Sequence, residues 1–530
     1  MKMRYLWMLA AFAAGALTLP VLGAQSTPIP TGTYRYVTTV NGATAGLSTI
    51  VVQHHGSTIQ ISESASLGPS ALVTRRILDA TTFAALRYDE SSPGSAIGST
   101  LLLTSTSAVL HVRTKTTTIS APAGAPFFVN DNLVAGFALI PAQLHATGSK
   151  TLTMACVCGA LVAVPSVVVP ATAPRPADVP ANDVSAAVEF ENQTMTFWYD
   201  PASYVVKRID LASQGLTILL QSYGPAVEPL RAPATPTPLP LPSPHYASQD
   251  VTVIADDGVR LAGTLTMPRT RTRVPAFVLV HGSGCNDRNE AIGPNQIFAQ
   301  IANHLSNEGY AVLRYDKRSC GKSGGTFPVR SRLIADAQDA VRFLRRQPGV
   351  DAARIYVLGH SEGGELVPSL AILDGRLRGI LLMAPPAIPL DQILLQQYSR
   401  DLTGTAKIAA VRREAAQIAL INSGKIDTPS ARWLRSSFGF DPAKTIARVP
   451  CPILILQGTK DIQVLAVDLP RLVNAARAAH RNVTVDLLRG DDHLFLNIPG
   501  NAPSTGLEYF IASYLDPNLF TSIDAWLTTH

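Results

Sequence analysis

A run of prolines divides this chain of 530 residues into two parts. Eight prolines fall between Pro225 and Pro244. Each proline fixes its own φ and biases the residue before it towards extended backbone. The segment is therefore predicted to be a semi-rigid polyproline II spacer. We expect a linker over residues 225–246 between two bodies, which the length of the chain also favours.

The composition excludes several classes of protein. Charged residues make up 15% of the chain, against about 25% in a typical soluble protein, which excludes a charge-driven disordered tail or a long coiled coil as the main body. The net charge of +6 is small for this length, and Arg269-Thr-Arg-Thr-Arg273 is the densest basic run. The sequence therefore predicts no nucleic-acid partner.

The first 24 residues have the pattern of a secretory signal peptide. Lys2 and Arg4 precede an almost wholly apolar stretch from Tyr5 to Leu19, and Leu22-Gly-Ala24 offers small residues for cleavage. The apolar stretch is short for a membrane span of roughly 20 residues. We expect a signal peptide over residues 1–24, a secreted or periplasmic protein, and no membrane span after cleavage. An uncleaved N-terminal anchor is the alternative.

Residues 25–224 have the pattern of an all-β domain. Val37 to Ile61 holds alternating segments rich in Thr, Val and Ile, with a hairpin signal at Asn41-Gly42. Pro165 to Ala181 is expected to be a Pro/Ala-rich loop. No catalytic constellation stands out in this half, which could bind a polymer, a lipid or a cell-wall component, or could only position the other half. Further strand-like segments are Leu101–Val112, Thr151–Met154, Ala187–Tyr199 and Tyr204–Leu211.

Residues 247–530 alternate strand-length apolar runs with helical patterns. This βαβα alternation implies an α/β domain with a mostly parallel sheet and helices on both faces. The predicted strands are Ala276–Val280, Ala311–Tyr315, Ile355–Leu358, Gly379–Met383, Ile453–Leu456 and Val483–Leu487. The predicted helices are Ile297–Glu308, Leu333–Gln347 and Leu366–Asp374.

A serine stands at the turn after one of these strands. Gly359-His-Ser-Glu-Gly363 lies between the strand Ile355–Leu358 and the helix that begins near Leu366, which is the setting of a G-x-S-x-G nucleophile elbow. Such a nucleophile sits on a strained turn, and the flanking glycines let neighbouring backbone approach closely. The pattern predicts that Ser361 is a catalytic nucleophile.

A nucleophilic serine needs a base, and the base needs an acid that orients it. Asp461 and His493 each lie in a loop after a predicted strand, so the chain order is Ser, Asp, His. Loops at the carboxyl ends of parallel strands can meet. We predict Ser361, His493 and Asp461 as nucleophile, base and orienting acid. Asp491 and Asp492 are too near His493 in sequence and are interpreted as loop-capping residues.

The loop after the strand Ala276–Val280 begins His281-Gly-Ser-Gly284. Loops of this type commonly supply one donor to an oxyanion hole. We predict that the backbone N–H groups of Ser283 and Glu362 bind the developing oxyanion, and that the Ser283 side chain plays no part. This chemistry requires no metal and no cofactor.

On these motifs, residues 247–530 resemble a bacterial α/β-hydrolase of the group close to serine aminopeptidases and secreted carboxylesterases. The resemblance implies the α/β-hydrolase fold, the triad above, and an ion pair of Asp316 with Arg318 that holds its loop. It does not fix the substrate, because the group spans esterases, peptidases and thioesterases. The matching segments are His281-Gly-Ser-Gly284 with Asp287-Arg288, Tyr315-Asp-Lys-Arg318 with Gly321-Lys-Ser323, Gly359-His-Ser-Glu-Gly-Gly364, and Gln457-Gly-Thr-Lys-Asp461.

Two cysteines depart from the pattern of this group. Relatives usually have Pro where Cys285 stands and Gly-x where Ser319-Cys320 stands. In this fold the two preceding strands are neighbours, so Cys285 and Cys320 lie at the same end of adjacent strands. A disulfide that stiffens the oxyanion loop and two free thiols are both open at this point. Cys451, at the start of a buried strand, is expected to be a small core residue.

Residues 387–449 are expected to form a helical cap inserted between two core strands. Residues from Ile408 to Ile421 recur at helical spacing, Gly424 is a helix stop, and a second helix surrounds Trp433. A cap over the active site and an ordinary packed excursion are the two interpretations. We expect the substrate pocket between Ser361 and this insert.

Three functions remain to be compared. The favoured one is a serine hydrolase that cleaves small-molecule esters through an acyl-enzyme on Ser361. A peptidase or aminopeptidase with the same triad would need acidic groups in the cap to bind a free amine. The third is a binding or scaffold protein with an inactive hydrolase domain, which an intact triad disfavours. The acidic residues of the cap are Asp391, Asp401, Glu414, Asp427 and Asp441.

Overall fold

The chain is described by a computed structural model for residues 29–530 apart from 68–69, 92–98, 105–106, 113–114, 121–126, 131–133, 158–160, 191–192, 231–236, 271 and 401–403. The signal peptide expected at residues 1–24 lies outside these described residues. The described chain falls into two compact units, and their main division in sequence lies between Thr237 and Pro238, inside the proline-rich segment. The described residues between Gly224 and Tyr246 carry no helix and no strand.

The described part of the N-terminal unit has 15 strands in one sheet and two short α-helices. The strands are β1 Gly32–Val40, β2 Ala43–His55, β3 Thr58–Leu67, β4 Ser70–Asp79, β5 Ala85–Ser91, β6 Ser99–Leu103, β7 Ser107–Val112, β8 Lys115–Ser120, β9 Phe127–Asn130, β10 Thr151–Val157, β11 Leu161–Val169, β12 Val184–Phe190, β13 Gln193–Tyr199, β14 Val206–Leu211 and β15 Leu216–Gly224. The helices are α1 Val134–Ala138 and α2 Ile140–Thr147, with a 3-10 turn at Ala212–Gln214.

The sheet is a meander in which neighbours in space are nearly always neighbours in sequence. Its order is β8-β7-β6-β5-β4-β3-β2-β1-β15-β14-β13-β12-β11-β10-β9. The strands are antiparallel except for β9 and β10, which are parallel. The predicted hairpin at Asn41-Gly42 joins β1 to β2, and its two residues have φ of 49° and 82°, as a type I′ turn requires. The prediction of an all-β N-terminal domain is confirmed, with two added helices.

A buried carboxylate anchors the first helix to this sheet. Glu63 of β3 is fully buried, and its oxygens accept the N–H groups of Val134 and Ala135 at 3.1 and 3.0 Å. The guanidinium of Arg76 on β4 lies 3.5 Å from the same carboxylate. Because the first N–H groups of a helix have no partner inside it, this carboxylate fixes where α1 starts on the sheet.

One boundary prediction in this unit was wrong. The loop expected from Pro165 begins later, because β11 continues to Val169 and Pro165 pairs in register with Thr153 of β10. On its other side β11 pairs with β12 only from Val167 onward. Proline lacks an N–H, and a strand tolerates it where one side of the strand needs no hydrogen bond.

The C-terminal unit contains the α/β part of the chain. Its strands are β16 Tyr246–Ile254, β17 Arg260–Pro268, β18 Val274–Val280, β19 Ala291–Ile292, β20 Asn295–Gln296, β21 Ala311–Tyr315, β22 Val350–His360, β23 Gly379–Met383, β24 Ile453–Gly458 and β25 Val483–Leu488. Its helices are α3 Ile297–Asn307, α4 Arg330–Arg345, α5 Glu362–Asp374, α6 Leu390–Ser399, α7 Gly404–Asn422, α8 Pro429–Ser437, α9 Pro442–Ile446, α10 Leu469–Ala478 and α11 Pro517–Leu527, with 3-10 turns at Ala466–Asp468 and Leu507–Phe510.

In the described part of this unit, the main sheet has eight strands in the order β16-β17-β21-β18-β22-β23-β24-β25. From β21 to β25 all neighbours are parallel, and β16 and β17 add an antiparallel edge. Apolar cores cover both faces, one with α4, α5, α9 and α10, the other with α3 and α11. The strands β23 and β24 are buried along their whole length, as expected for strands between two layers of helices. The predicted doubly wound sheet is confirmed.

The described residues of the predicted cap insert, between β23 and β24, form the helices α6 to α9. The helix α7 ends at Asn422, two residues before Gly424, whose φ is 75°. The helices α6 and α9 were not predicted. The apolar spacing on α7 identified a helix but not a buried face, since Ile408 is 52% exposed while Ile418 is buried. No helix among the described residues is both long and apolar enough to span a bilayer.

Candidate active site

Ser361 lies at a strained turn between β22 and α5. Its φ of 53° and ψ of −116° are unusual for a residue with a side chain. The turn is held by the Ser361 N–H, which donates to the Met383 carbonyl at 2.9 Å. A Cβ added at Gly359 would lie 2.3 Å from the carbonyl oxygen of Gly363, and one at Gly363 would lie 2.0 Å from that of Val280. The two glycines of the motif are therefore required for the backbone to pack this closely.

The structure brings the three predicted side chains of the triad together. His493 Nε2 lies 3.0 Å from Ser361 Oγ, and His493 Nδ1 lies 2.8 Å from Asp461 Oδ2. The two loops follow β24 and β25, which are adjacent parallel strands. His493 and Asp461 are both buried, so water does not compete for their hydrogen bond. This geometry allows Ser361 to transfer a proton to His493.

The carboxylate of Asp461 is held by its own loop. Its Oδ2 accepts from Gln457 Nε2 at 3.0 Å, and its Oδ1 accepts the N–H groups of Gln463 and Val464 at 2.8 and 2.9 Å. Charged acceptors make strong hydrogen bonds with such donors. Asp461 is thus fixed with one oxygen directed at His493.

The rival acids have other partners. Asp492 Oδ1 accepts the N–H groups of Leu494 and Leu496 at 2.8 and 2.9 Å, and Asp491 Oδ1 accepts from Asn497 at 2.9 Å. Burial raises the pKa of Asp492 well above its usual value and that of Asp491 to about 7. Both residues therefore hold the loop that carries the histidine, as interpreted from the sequence.

The predicted oxyanion loop lies directly against the nucleophile. A Cβ added at Gly282 would lie 3.1 Å from Ser361 Cβ. Glu362 is the first residue of α5, where backbone N–H groups have no partner inside the helix. Within the described residues, neither the Ser283 N–H nor the Glu362 N–H donates to a protein acceptor. The contacts of these two N–H groups are therefore compatible with the predicted role in an oxyanion hole.

A buried Glu–His pair, which reasoning from the sequence missed, connects the oxyanion loop to the histidine loop. Glu290 Oε1 accepts the Gly282 N–H at 2.5 Å and lies 3.1 Å from His360 Nδ1. His360 Nε2 donates to the His493 carbonyl at 2.9 Å. Burial alone would lower the pKa of His360 and raise that of Glu290, but the opposite charges raise the first and lower the second. Each group therefore favours the charged form of the other.

A second unpredicted network surrounds Glu362. Lys317 Nζ donates to Glu362 Oε2 at 2.7 Å and to the Gly282 carbonyl at 2.7 Å. Trp433 Nε1, on the cap helix α8, donates to Glu362 Oε1 at 2.6 Å. The cap therefore contacts the residue that follows Ser361.

The ion pair expected between Asp316 and Arg318 is wrong. Asp316 instead accepts from the guanidinium of Arg288 at 3.0 Å, and Arg318 binds Asp336 of α4, with Arg318 Nε donating to Asp336 Oδ2 at 2.8 Å. Asp257 also accepts from Arg318 at 2.9 Å. The two side chains leave the loop towards different elements, so each finds a partner far away in sequence.

The structure contains the Cys285–Cys320 disulfide, one of the two alternatives left by the sequence. Their Cα atoms are 5.4 Å apart, within the normal range for a disulfide. The bond joins the oxyanion loop to the loop after β21. Cys451 is a buried free thiol, and burial raises its pKa to about 11.

No group of three or more His, Cys, Asp or Glu side chains arranged to hold a metal ion occurs in the described part of the chain. His281, the first residue of the oxyanion loop, is buried against the rings of Phe298 and Tyr315. Burial lowers its pKa to about 4. His281 is therefore neutral at pH 7 and contributes packing to the loop.

Comparisons with known proteins identify the family to which this chain is similar. Residues 277–500 match the Alpha/beta hydrolase family. The chain is 32% identical over 290 residues to Esterase EstD of Thermotoga maritima, covering 53% of this chain and 68% of that protein. It is 29% identical over 239 residues to the uncharacterized protein Rv2307c of Mycobacterium tuberculosis, covering 45% and 71%. Among solved structures, the Pyrococcus furiosus esterase Pf2001 has a TM-score of 0.38 at 16% identity, covering 55% of this chain and 95% of that chain.

Proposed function

Because this chain belongs to the alpha/beta hydrolase family, we propose that it is a serine hydrolase that cleaves carboxylic esters through an acyl-enzyme on Ser361. The observation that carries the proposal is the continuous hydrogen-bonded row from Ser361 through His493 to Asp461, at 3.0 and 2.8 Å. The relative EstD, an esterase by name, supports an ester as the substrate.

In the proposed first half-reaction, Ser361 Oγ attacks the ester carbonyl carbon while His493 Nε2 takes the hydroxyl proton. The carbonyl oxygen becomes an oxyanion and accepts the N–H groups of Ser283 and Glu362. Collapse of this tetrahedral intermediate breaks the bond to the alcohol, which leaves with the proton from His493. Asp461 keeps the imidazole oriented and stabilises its charged form.

In the second half-reaction, a water molecule replaces the alcohol. His493 takes a proton from the water, and the resulting oxygen nucleophile attacks the acyl carbon on Ser361. The second intermediate collapses to release the carboxylic acid, and the proton returns from His493 to the serine oxygen. The cycle consumes one ester and one water and yields one alcohol and one carboxylic acid.

Contacts in the cap disfavour the peptidase alternative. A site for a free amine would need an unengaged carboxylate, but three of the acidic cap residues serve other contacts. Asp391 accepts the Gly439 N–H, Asp427 binds two arginines of α8, and Asp441 caps α9 and pairs with Arg471. Of the two others, Glu414 on α7 also makes an interaction, and Asp401 lies outside the described residues.

The test compares the wild-type chain with Ser361→Ala on p-nitrophenyl esters of rising acyl length and on aminoacyl p-nitroanilides. Ser248→Ala is the matched control, because Ser248 is an exposed serine on β16 of the same unit. We expect ester turnover in the wild type and the control, and its loss in Ser361→Ala. Mass spectrometry after treatment with a fluorophosphonate should find the adduct on Ser361. Ester turnover that survives in Ser361→Ala refutes the mechanism, and anilide turnover above ester turnover refutes the substrate class.

We also propose that the chain is exported. The motif at residues 1–24 supports this, and so does the disulfide between Cys285 and Cys320, because disulfides persist mainly in oxidising compartments. Expression in a bacterial host followed by fractionation and N-terminal sequencing tests it. A mature protein that begins near Gln25 outside the cytoplasm is expected, and an intact N-terminus in the cytoplasm contradicts the proposal.

A further inference from the structure

Resting on the serine mechanism proposed above, we infer that Lys317 is a positioning residue that orients both oxyanion donors at once, and that Trp433 connects the cap to this arrangement. Lys317 lies in the loop after β21 and is 4% exposed. Its ammonium contacts one group on each side of the predicted oxyanion hole, the Gly282 carbonyl and the Glu362 carboxylate, both at 2.7 Å.

The contact with Gly282 acts on the first donor through the peptide plane. The carbonyl of Gly282 and the N–H of Ser283 belong to the same peptide, and in a trans peptide they point in opposite directions within one plane. No cis peptide occurs in the described chain. The carbonyl accepts from Lys317 Nζ and also from Asn286 Nδ2 at 2.8 Å. Two donors that fix the oxygen on one side therefore fix the direction of the Ser283 N–H on the other.

The contact with Glu362 acts on the second donor. Both carboxylate oxygens of Glu362 are used, one by Lys317 and the other by the Trp433 indole at 2.6 Å. Glu362 begins α5 directly after Ser361. A fixed side chain therefore restricts the rotation of the residue whose N–H is the predicted second donor. The pocket geometry of an oxyanion hole depends on donors that are oriented before the charge develops.

The burial of this pair is not explained by stability. The side chains of Lys317 and Glu362 are 5% and 8% exposed. Removing two charges from water costs several kcal/mol per ion, and replacing such pairs by apolar residues is often neutral or stabilising. A carboxylate beside a developing oxyanion would also oppose the reaction unless a cation compensates it. Lys317 supplies that cation, and its ammonium group contacts both the Gly282 carbonyl and the Glu362 carboxylate.

This arrangement predicts an asymmetry that a purely structural ion pair lacks. Lys317→Met leaves the Glu362 carboxylate uncompensated beside the oxyanion and releases the Gly282 carbonyl. Glu362→Gln keeps the shape of the side chain, removes the negative charge and leaves Lys317 on the Gly282 carbonyl. The first change should therefore reduce kcat much more than the second, with little change in KM for either.

The experiment uses the full chain and a short p-nitrophenyl ester, with thermal unfolding measured for every variant. We expect Lys317→Met to lose kcat by about 10²–10³-fold, the range found when one oxyanion donor is removed. The loss for Glu362→Gln should be at least about tenfold smaller, and Lys317→Met/Glu362→Gln should recover at least about tenfold over Lys317→Met. Trp433→Phe keeps an aromatic side chain but removes the indole N–H that donates to Glu362, and it should lower kcat with KM unchanged. Lys444→Met, at an exposed lysine on α9, is the control and should match the wild type.

Equal losses from Lys317→Met and Glu362→Gln without recovery in the double variant would overturn the inference, as would wild-type kcat in Lys317→Met. If Lys317→Met does not fold, Lys317→Met/Glu362→Gln, which buries no charge at this pair, takes its place. A kcat for this double variant below that of Glu362→Gln then supports the inference, and an equal kcat overturns it. Failure of the serine mechanism itself is distinguishable, because the wild type would then show no fluorophosphonate adduct on Ser361.

Discussion

The packing around Gly458 allows a quantitative prediction about the triad. Gly458 ends β24, three residues before Asp461, and its Cα faces the backbone just before His493. A Cβ at this position would lie 2.4 Å from the Asp491 carbonyl oxygen and 2.5 Å from that of Asp492, whereas ordinary contacts begin near 3.4 Å. Gly458→Ala must therefore separate the two loops by about 1 Å, the difference of 3.4 and 2.4 Å.

That separation acts directly on the catalytic geometry. The two loops are tied by the Lys460 N–H, which donates to the Asp491 carbonyl at 2.8 Å, so neither can relax alone. A misplacement of 1 Å can cost about 10²-fold in rate. Overpacking a close-packed site costs roughly 1–3 kcal/mol of stability. We expect kcat to fall about 10²-fold and the melting temperature to fall by roughly 2–4 °C per kcal/mol lost.

The assay is the initial rate with a p-nitrophenyl ester, together with thermal unfolding followed by circular dichroism. Gly324→Ala is the matched control, because a Cβ there would lie 3.8 Å from the Arg260 carbonyl oxygen and 3.9 Å from Val259 Cγ1, both ordinary contacts. Neither Gly458 nor Gly324 has a positive φ, so backbone strain does not differ. Wild-type kcat and melting temperature in Gly458→Ala would refute the reasoning.

Three further changes have expected outcomes. Asp461→Asn should lower kcat about 10⁴-fold, because the imidazole loses the carboxylate that sets its tautomer; steady-state kinetics that match the wild type would contradict this. Cys285→Ser/Cys320→Ser removes the disulfide, which links residues 35 apart in sequence. The free energy of unfolding in urea should fall by about 4 kcal/mol. An unchanged urea midpoint would show that the disulfide does not stabilise the fold. Burial raises the pKa of Glu365 from 4.5 to about 7. Between these two pH values the folded chain retains a proton on Glu365 that the unfolded chain releases. The free energy of unfolding therefore falls as the pH rises from 4.5 to 7. Glu365→Gln should flatten this fall in urea unfolding measured across that pH range, and a slope equal to that of the wild type would show that Glu365 does not contribute.

The sequence predicted the parts of the site that depend on local pattern. Ser361, Asp461 and His493 each follow a strand, and parallel strands deliver their loops to one edge. Apolar runs identify such strands, and the G-x-S-x-G spacing identifies the elbow. The structure accordingly brings these three side chains together at the ends of the strands that the sequence predicted.

The partners of buried charges could not be predicted in the same way. Lys317 and Glu362 are 45 residues apart, and Trp433 is 71 residues from Glu362. The partner of each buried charged side chain is decided by how the loop after β21 packs against α4 and the cap. The mistaken Asp316–Arg318 pair has the same origin, because proximity in sequence says little about the direction in which two side chains leave a loop.

The meander of the N-terminal unit has a consequence for how this unit folds. Among its described residues, 13 of the 14 strand pairings join strands that are consecutive in sequence, and the exception is β1 with β15. In that pairing Thr33 faces Gly224, a separation of 191 residues. Contacts between distant residues form more slowly than local ones. We expect the strands β1–β8 and the strands β9–β15 to form two meanders independently during synthesis. The pairing of β1 with β15, which joins the two meanders, should form last.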